Sequence, residues 1–155
     1  MRLTDFIDRK TQKKIASFPD RLKKITDDYL NTPSASNFQF GLESDRDVQH
    51  YKEEIMAYGL NLKFVKTQIS QLIAEVDGQL EAIRQAKSAL GQHEENNHSV
   101  QRYKREIECF ESNLSLTKTQ LSRLDAEVDG QLRVVDQAKK AISQHKELQK
   151  KSGRP

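Results

Sequence analysis

From Val48 onward, apolar residues recur at alternating spacings of three and four. One series runs through Val48, Ile55, Leu62, Ile69, Val76, Ile83 and Leu90, interleaved with Tyr51, Tyr58, Val65, Leu72, Gln79, Ala86 and His93. A second runs through Val100, Ile107, Leu114, Leu121, Val128, Val135 and Ile142, interleaved with Tyr103, Phe110, Thr117, Leu124, Gln131, Ala138 and His145. A 3.5-residue period held over many heptads keeps one narrow apolar seam turned towards a partner helix, the signature of a coiled coil. The pattern predicts a first long helix within 44–95, a turn and second long helix within 96–151, and a short tail at 152–155.

The two stretches are related. Tyr51 to Glu95 aligns without a gap on Tyr103 to Glu147, at an offset of 52, with 25 identities over 45 positions. The block Ala74-Glu75-Val76-Asp77-Gly78-Gln79-Leu80 recurs unbroken as Ala126 to Leu132. Such self-similarity reads as a tandem duplication. Fifty-two exceeds seven heptads by three residues, so the frame slips between the two stretches, at Glu94-Glu95-Asn96-Asn97-His98-Ser99. A continuous helix needs a stammer there, whereas Asn suits a turn and Ser99 suits a helix cap. If the chain reverses between Asn96 and Asn97, facing residues have numbers that sum to 193, and every a position then meets a d position. The expected fold is all-α: a long antiparallel coiled-coil hairpin, each arm roughly 70 Å, with shorter N-terminal helices packed on it. A continuous helix pairing in parallel is the alternative.

Residues 1–43 form a segment of a different kind. Leu3, Phe6, Ile7 and Ile15 suggest one amphipathic helix, broken at Phe18-Pro19, with Ser17 and Asp20 marking a restart. Leu22, Ile25, Tyr29 and Leu30 supply a second apolar face, and Asn31 to Asn37 is rich in turn formers. The alternating Phe38-Gln39-Phe40-Gly41-Leu42 reads as an extended stretch packing on the hairpin, and Ser44 with Asp47 as the cap of the first long arm.

Some apolar residues lie beside the seam: Ile73, Leu80 and Leu132 at e, Val134 and Leu148 at g. They widen the apolar stripe beyond what two helices cover, and so become candidate contacts for another helix. The seam itself holds polar Gln79, Gln131 and Thr117, expected to face Leu114, Leu62 and Val76, where they cost little near the surface or set the register. Gly78 and Gly130, mid-helix, suggest either close approach of another backbone or simple inheritance.

Composition narrows the function. Hydrophobic residues make up 35% of the 155 and charged residues 32%, with no Trp. That balance argues against a thick core, and the seam accounts for the apolar residues that remain. Met1-Arg2-Leu3-Thr4-Asp5 has no leader-like apolar region and no run approaches a membrane span, so a cytoplasmic protein is expected, in keeping with a single cysteine, Cys109. Net charge is +2 over 1–43, −3 over 44–95 and +4 over 96–155. Lys23, Lys24, Lys52, Lys139, Lys140, Lys146, Lys150 and Lys151 are candidates for a basic pole at the open end of the hairpin, able to hold nucleic-acid phosphates or anionic lipid, although lysines near helix C-termini are also ordinary.

No catalytic constellation is present. The glycines are scattered rather than gathered in a phosphate loop, Cys109 has no neighbouring His pattern, and His50, His93, His98 and His145 match no closed zinc spacing. No metal centre and no cofactor are expected; His93 and His145 are read as partly buried packing residues. The function expected is a non-enzymatic scaffold or adaptor that assembles with itself or with a helical protein partner. An accessory nucleic-acid-binding protein using the basic pole is the second reading, and a stalk in a membrane or secretion machine a distant third.

Overall fold

The computed structural model describes residues 2–32, 45–93 and 98–151, with side chains at all of these except 45–48, 145, 146 and 148–151. Every described element is helical: a 3-10 turn at Leu3–Asp5, then α1 (Arg9–Leu30), α2 (Asp45–Gly91) and α3 (His98–Lys151). The two long helices pack together, joined by ion pairs such as Lys118–Asp77 at 2.6 Å. The chain divides into two compact units: Met1–Thr26 with Ile69–Leu124, and Asp27–Gln68 with Asp125–Pro155.

In the first unit α1 starts at a side-chain cap. The Thr11 backbone N–H donates to Asp8 Oδ1 at 2.6 Å, and that bond holds the Asp8 carboxyl below the usual carboxylate range. Ile15, Phe18 and Ile25 then fall on one face and are buried, Phe18 completely. The break expected at Phe18-Pro19 does not occur: α1 runs unbroken through Pro19, so one helix stands where two were expected. Pro19 forfeits a hydrogen bond and crowds the carbonyl of Ile15, a cost of roughly 3 kcal/mol in a helix interior. Burial of Phe18 offsets it, since truncating a core Phe typically loses about 3–5 kcal/mol. Ser17, proposed as a cap, instead donates to the Lys14 carbonyl at 2.7 Å.

The long helices contribute to this unit the buried residues Ile69, Leu72, Val76, Ile83, Ala86 and Leu90 of α2, and Val100, Ile107, Leu114, Leu121 and Leu124 of α3. Arg21 stacks its guanidinium over Phe18, 5.6 Å from the ring centroid, and pairs with Glu75. The Glu75 carboxyl is held below its usual range by that bond, with Lys14 adding to the effect and burial opposing it. Phe6 meets His93 edge-on, ring centroids 5.7 Å apart, and Tyr103 at 6.3 Å. His93 is exposed rather than partly buried, resting against Phe6 instead of filling a seam layer. Helix α3 begins at His98, so Ser99 lies inside it and is not its cap. The expected turn at Asn96-Asn97, the Ser44/Asp47 cap and the Phe38–Leu42 stretch lie outside the residues described, or outside the side chains described.

In the second unit the buried residues are Tyr51, Ile55, Tyr58, Leu62 and Val65 of α2 with Val128, Val135, Ala138 and Ile142 of α3. Gln131 does not simply face Leu62: the Tyr58 hydroxyl donates to Gln131 Oε1 at 3.0 Å, across the two helices. Lys66 sits between Asp125, at 3.5 Å, and Asp129, and bonding to Asp129 raises its pKa above that of an ordinary lysine. The end of α1 belongs here too. Burial raises the pKa of the Tyr29 hydroxyl, the Glu127 carboxylate adds to that, and Leu30 stays exposed rather than completing an apolar face.

Within this chain Gly78 and Gly130 do not bear out the first of the two explanations, close approach of another backbone. A Cβ at Gly78 would meet nothing within 4 Å, and one at Gly130 only the Arg133 Nη2 at 3.9 Å, so neither marks a close approach. Gly59 does: a Cβ there would lie 3.3 Å from Val135 Cγ1.

Candidate functional site

Of the apolar residues beside the seam, Ile73, Leu80, Leu132 and Val134 are all half-buried, and the Leu148 side chain lies outside those described. Ile73 and Leu80 belong to the first unit, Leu132 and Val134 to the second.

Among the described residues, three large apolar side chains of α2 in the second unit stand exposed elsewhere. Met56, Leu60 and Phe64 are 51%, 66% and 61% exposed. Four residues separate each from the next, so at about 100° per residue they form one ridge along α2. The buried side chains of the same stretch, Ile55, Tyr58, Leu62 and Val65, point the opposite way: the mean directions of the two sets differ by about 180°. The ridge is therefore the back of the helix, as far from the seam as a side chain can be placed. Its charged neighbours along α2 are Lys52, four residues before Met56, with Glu53 at the same end and Lys63 beside the other half, all exposed.

A hollow of about 290 Å³ opens beside this ridge, lined by Lys52, Ile55, Met56, Lys139, Ile142 and Ser143. It joins two of the basic-pole candidates, Lys52 from α2 and Lys139 from α3, over an apolar floor. Lys140 is exposed in the same unit, whereas Lys23 and Lys24, also exposed, belong to the first unit. The side chains of Lys146, Lys150 and Lys151 are outside those described. In the first unit a broader hollow of about 490 Å³ is lined by His98, Ser99, Arg102, Arg105 and Glu106, all on α3.

No protein-family model matches this chain, nor does any curated protein or solved structure. Function therefore rests on the residues alone.

Among the described residues no group of three or more His, Cys, Asp or Glu side chains is placed to hold a metal ion. His50 Nε2 lies 2.9 Å from Glu54 Oε1 on an exposed face, a pair along one helix, and Cys109 is exposed. Among the described residues no helix is long and apolar enough to cross a membrane. The ridge was missed in the sequence because the heptad frame directs attention to the seam and its flanks, and these residues fall at b, f and c. Its signal was present as three large apolar side chains at i, i+4 and i+8 where solvated positions should be polar.

Proposed function

We propose that the chain is a non-enzymatic scaffold or adaptor of the cytoplasm whose long helices pair as an antiparallel coiled coil and whose outer faces assemble with other chains. The observation that carries the assembly reading is the Met56-Leu60-Phe64 ridge. Contiguous exposed apolar surface on the back of a helix, away from its buried seam, marks contact with a partner. Antiparallel pairing is supported by the order of cross-helix contacts. In the second unit Tyr58 meets Gln131 and Lys66 meets Asp125; in the first, Asp77 meets Lys118 and Lys87 meets Glu111. Numbers that rise along α2 fall along α3, and each sum lies within a few residues of 193. The gapless identity at offset 52 supports an origin by tandem duplication, and a lone exposed Cys109 suits a reducing compartment.

The assembly reading is tested in the native host with a photo-crosslinking residue at position 64. A discrete adduct, with another copy or with a different protein, is the expected result; no adduct from position 64 or from position 60 overturns it. A second reading, binding of nucleic acid, draws on Lys52 and Lys139 meeting in one hollow. Retention of RNA or DNA at about 50 mM salt that fades steeply towards 200 mM supports it, since phosphate contacts release counterions. No retention at the lower salt rejects it.

A further inference from the structure

We propose that the hollow between α2 and α3 in the second unit binds a small amphiphilic anion, a carboxylate carried on a short apolar chain. The proposal stands apart from the assembly reading, since it needs neither the outer ridge nor a second chain.

Three features of the hollow select that ligand. Its two ammonium groups come from different helices, Lys52 from α2 and Lys139 from α3, and the Ser143 hydroxyl adds a further donor. Its apolar lining is Ile55, Ile142 and Met56, the first two buried and the last half-exposed. Its volume is about 290 Å³. At about 30 Å³ for each water-sized heavy atom, roughly ten heavy atoms fill it. Inorganic phosphate uses the lysines and leaves the apolar wall to water, and an alcohol uses the wall and leaves both charges unanswered. A carboxylate on a chain of about seven carbons uses both.

The charges around the hollow leave these two lysines without an internal partner. Among the described residues no carboxylate stands within ion-pair distance of Lys52 or Lys139. Glu54 is taken by His50, at 2.9 Å. Glu53 lies about 100° round α2 from Lys52, Asp136 about a turn before Lys139 and Glu147 about a turn beyond Ser143. All three are exposed and none lines the hollow, while Lys140 adds another exposed positive charge beside it.

The related stretch shows what has been replaced. At offset 52, Lys52 and Lys139 correspond to Lys104 and Lys87, and Ile55 and Ile142 to Ile107 and Leu90. In the first unit Lys87 pairs with Glu111 at 3.0 Å. Glu108 follows Lys104 by four residues, the spacing of an ion pair along a helix. The counterparts of Glu108 and Glu111 in α2 are Met56 and Gly59. The second unit thus keeps both lysines and the apolar floor but holds a thioether and a hydrogen in place of the two carboxylates. What side chains supply in one unit is left to a ligand in the other.

The chain has two methionines, so a carbon-13 methyl label reports on the hollow at Met56 and carries a control at Met1. The test is an NMR titration of the full chain with octanoate, to about 20 mM at about 50 mM salt. The expected result is a saturating shift of Met56 with a dissociation constant between about 0.1 and 5 mM, and no shift of Met1. Hexanoate, two methylenes shorter, should bind about four- to fifteen-fold more weakly. Lys52→Gln and Lys139→Gln should each weaken octanoate at least about three-fold, because each removes a charge-assisted hydrogen bond. Both lysines are exposed, so the variants should keep their helical circular dichroism. Met56→Glu, followed through the signals of octanoate itself, should abolish binding by restoring a carboxylate to the wall. No saturating shift at Met56 overturns the proposal, and so does binding that survives both lysine substitutions undiminished. If inorganic phosphate or an RNA oligonucleotide shifts Met56 as strongly as octanoate does, the apolar lining plays no part and the proposal falls in favour of a phosphate site.

Discussion

Gly78→Ala should stabilise this protein, and Gly59→Ala should not. Both glycines lie inside α2, where Gly costs roughly 0.8–1.0 kcal/mol relative to Ala because its backbone has more freedom to lose. At Gly78 the space that a methyl would take is open, so the propensity gain is realised in full. At Gly59 the same methyl lies 3.3 Å from Val135 Cγ1, and Val135 is only 2% exposed and cannot step aside into solvent. Overpacking a tight contact costs about 1–3 kcal/mol, which cancels or exceeds the gain. For a chain of 150–250 residues, 1 kcal/mol moves Tm by about 2–4 °C. Gly78→Ala is thus expected to raise Tm by about 2–4 °C, and Gly59→Ala to leave it unchanged or lower it by several degrees. Thermal melts followed by circular dichroism, repeated at two protein concentrations, measure both. Gly130→Ala, with only the mobile end of Arg133 at 3.9 Å, should match Gly78→Ala. A Gly78→Ala variant that melts below wild type refutes the reasoning. It would mean that another backbone does approach this position, and a loss that grew with protein concentration would identify it as that of a second chain.

Three further substitutions test the fold. Pro19→Ala restores the missing N–H in the interior of α1 and should stabilise by about 1–3 kcal/mol; a neutral result in urea titration would show that α1 is relaxed around the proline. Tyr58→Phe removes the donor to Gln131 and should cost about 0.5–1.5 kcal/mol, whereas a variant as stable as wild type shows the bond to be energetically idle. Glu75→Gln tests the pair with Arg21. Because the folded Glu75 carboxyl is held below its unfolded value of 4.5, its contribution is present above that pH and fades as pH falls below it. The pair is about one-third exposed, so the loss at pH 7 should be at most about 1 kcal/mol and should vanish near pH 3. A loss that persists undiminished at pH 3 contradicts the electrostatic account.

What could be read from sequence followed the strength of the periodic signal. The α2 and α3 spans were legible because Ile55, Leu62, Ile69 and their counterparts hold a 3.5 spacing through many turns, and no local residue preference outweighs burial on that scale. Pro19 misled for the opposite reason. Its local rule is strong, but Ile15, Phe18 and Ile25 keep helical spacing on both sides of it, and packing wins. The Tyr58–Gln131 bond was not legible, because the heptad frame pairs Gln131 with Leu62 and does not say which neighbouring layer a long polar side chain will reach. Gly78 and Gly130 could not be read beyond two alternatives, because the sequence marks where a methyl is absent, not what stands in the space. Lys52 and Lys139, both named in the sequence as basic-pole candidates, line one hollow; the ridge was not legible, because the heptad frame says nothing about the face it leaves to solvent.

The divergence between the two related stretches is informative because of where it falls. Residues 66–80 match 118–132 at most positions, but residues 56–60, Met-Ala-Tyr-Gly-Leu, match none of Glu-Cys-Phe-Glu-Ser at 108–112. Two of these changes serve the interior of the second unit, Tyr58 through Gln131 and Gly59 through Val135. Met56 and Leu60 do not, since both point away from the buried residues of their own helix. Giving α2 the residues found in α3, as Met56→Glu with Leu60→Ser, tests whether they matter to the fold. Exposed substitutions away from caps and cores change stability by no more than about 0.5 kcal/mol, and helix propensity alone predicts little more here. The double variant should therefore melt within about 2 °C of wild type in dilute solution, with its circular dichroism unchanged. A drop of more than about 5 °C at the lowest concentration would mean that the ridge supports its own chain. A melt that stays level in dilute solution and falls behind wild type only as concentration rises assigns the same two residues to contact between chains.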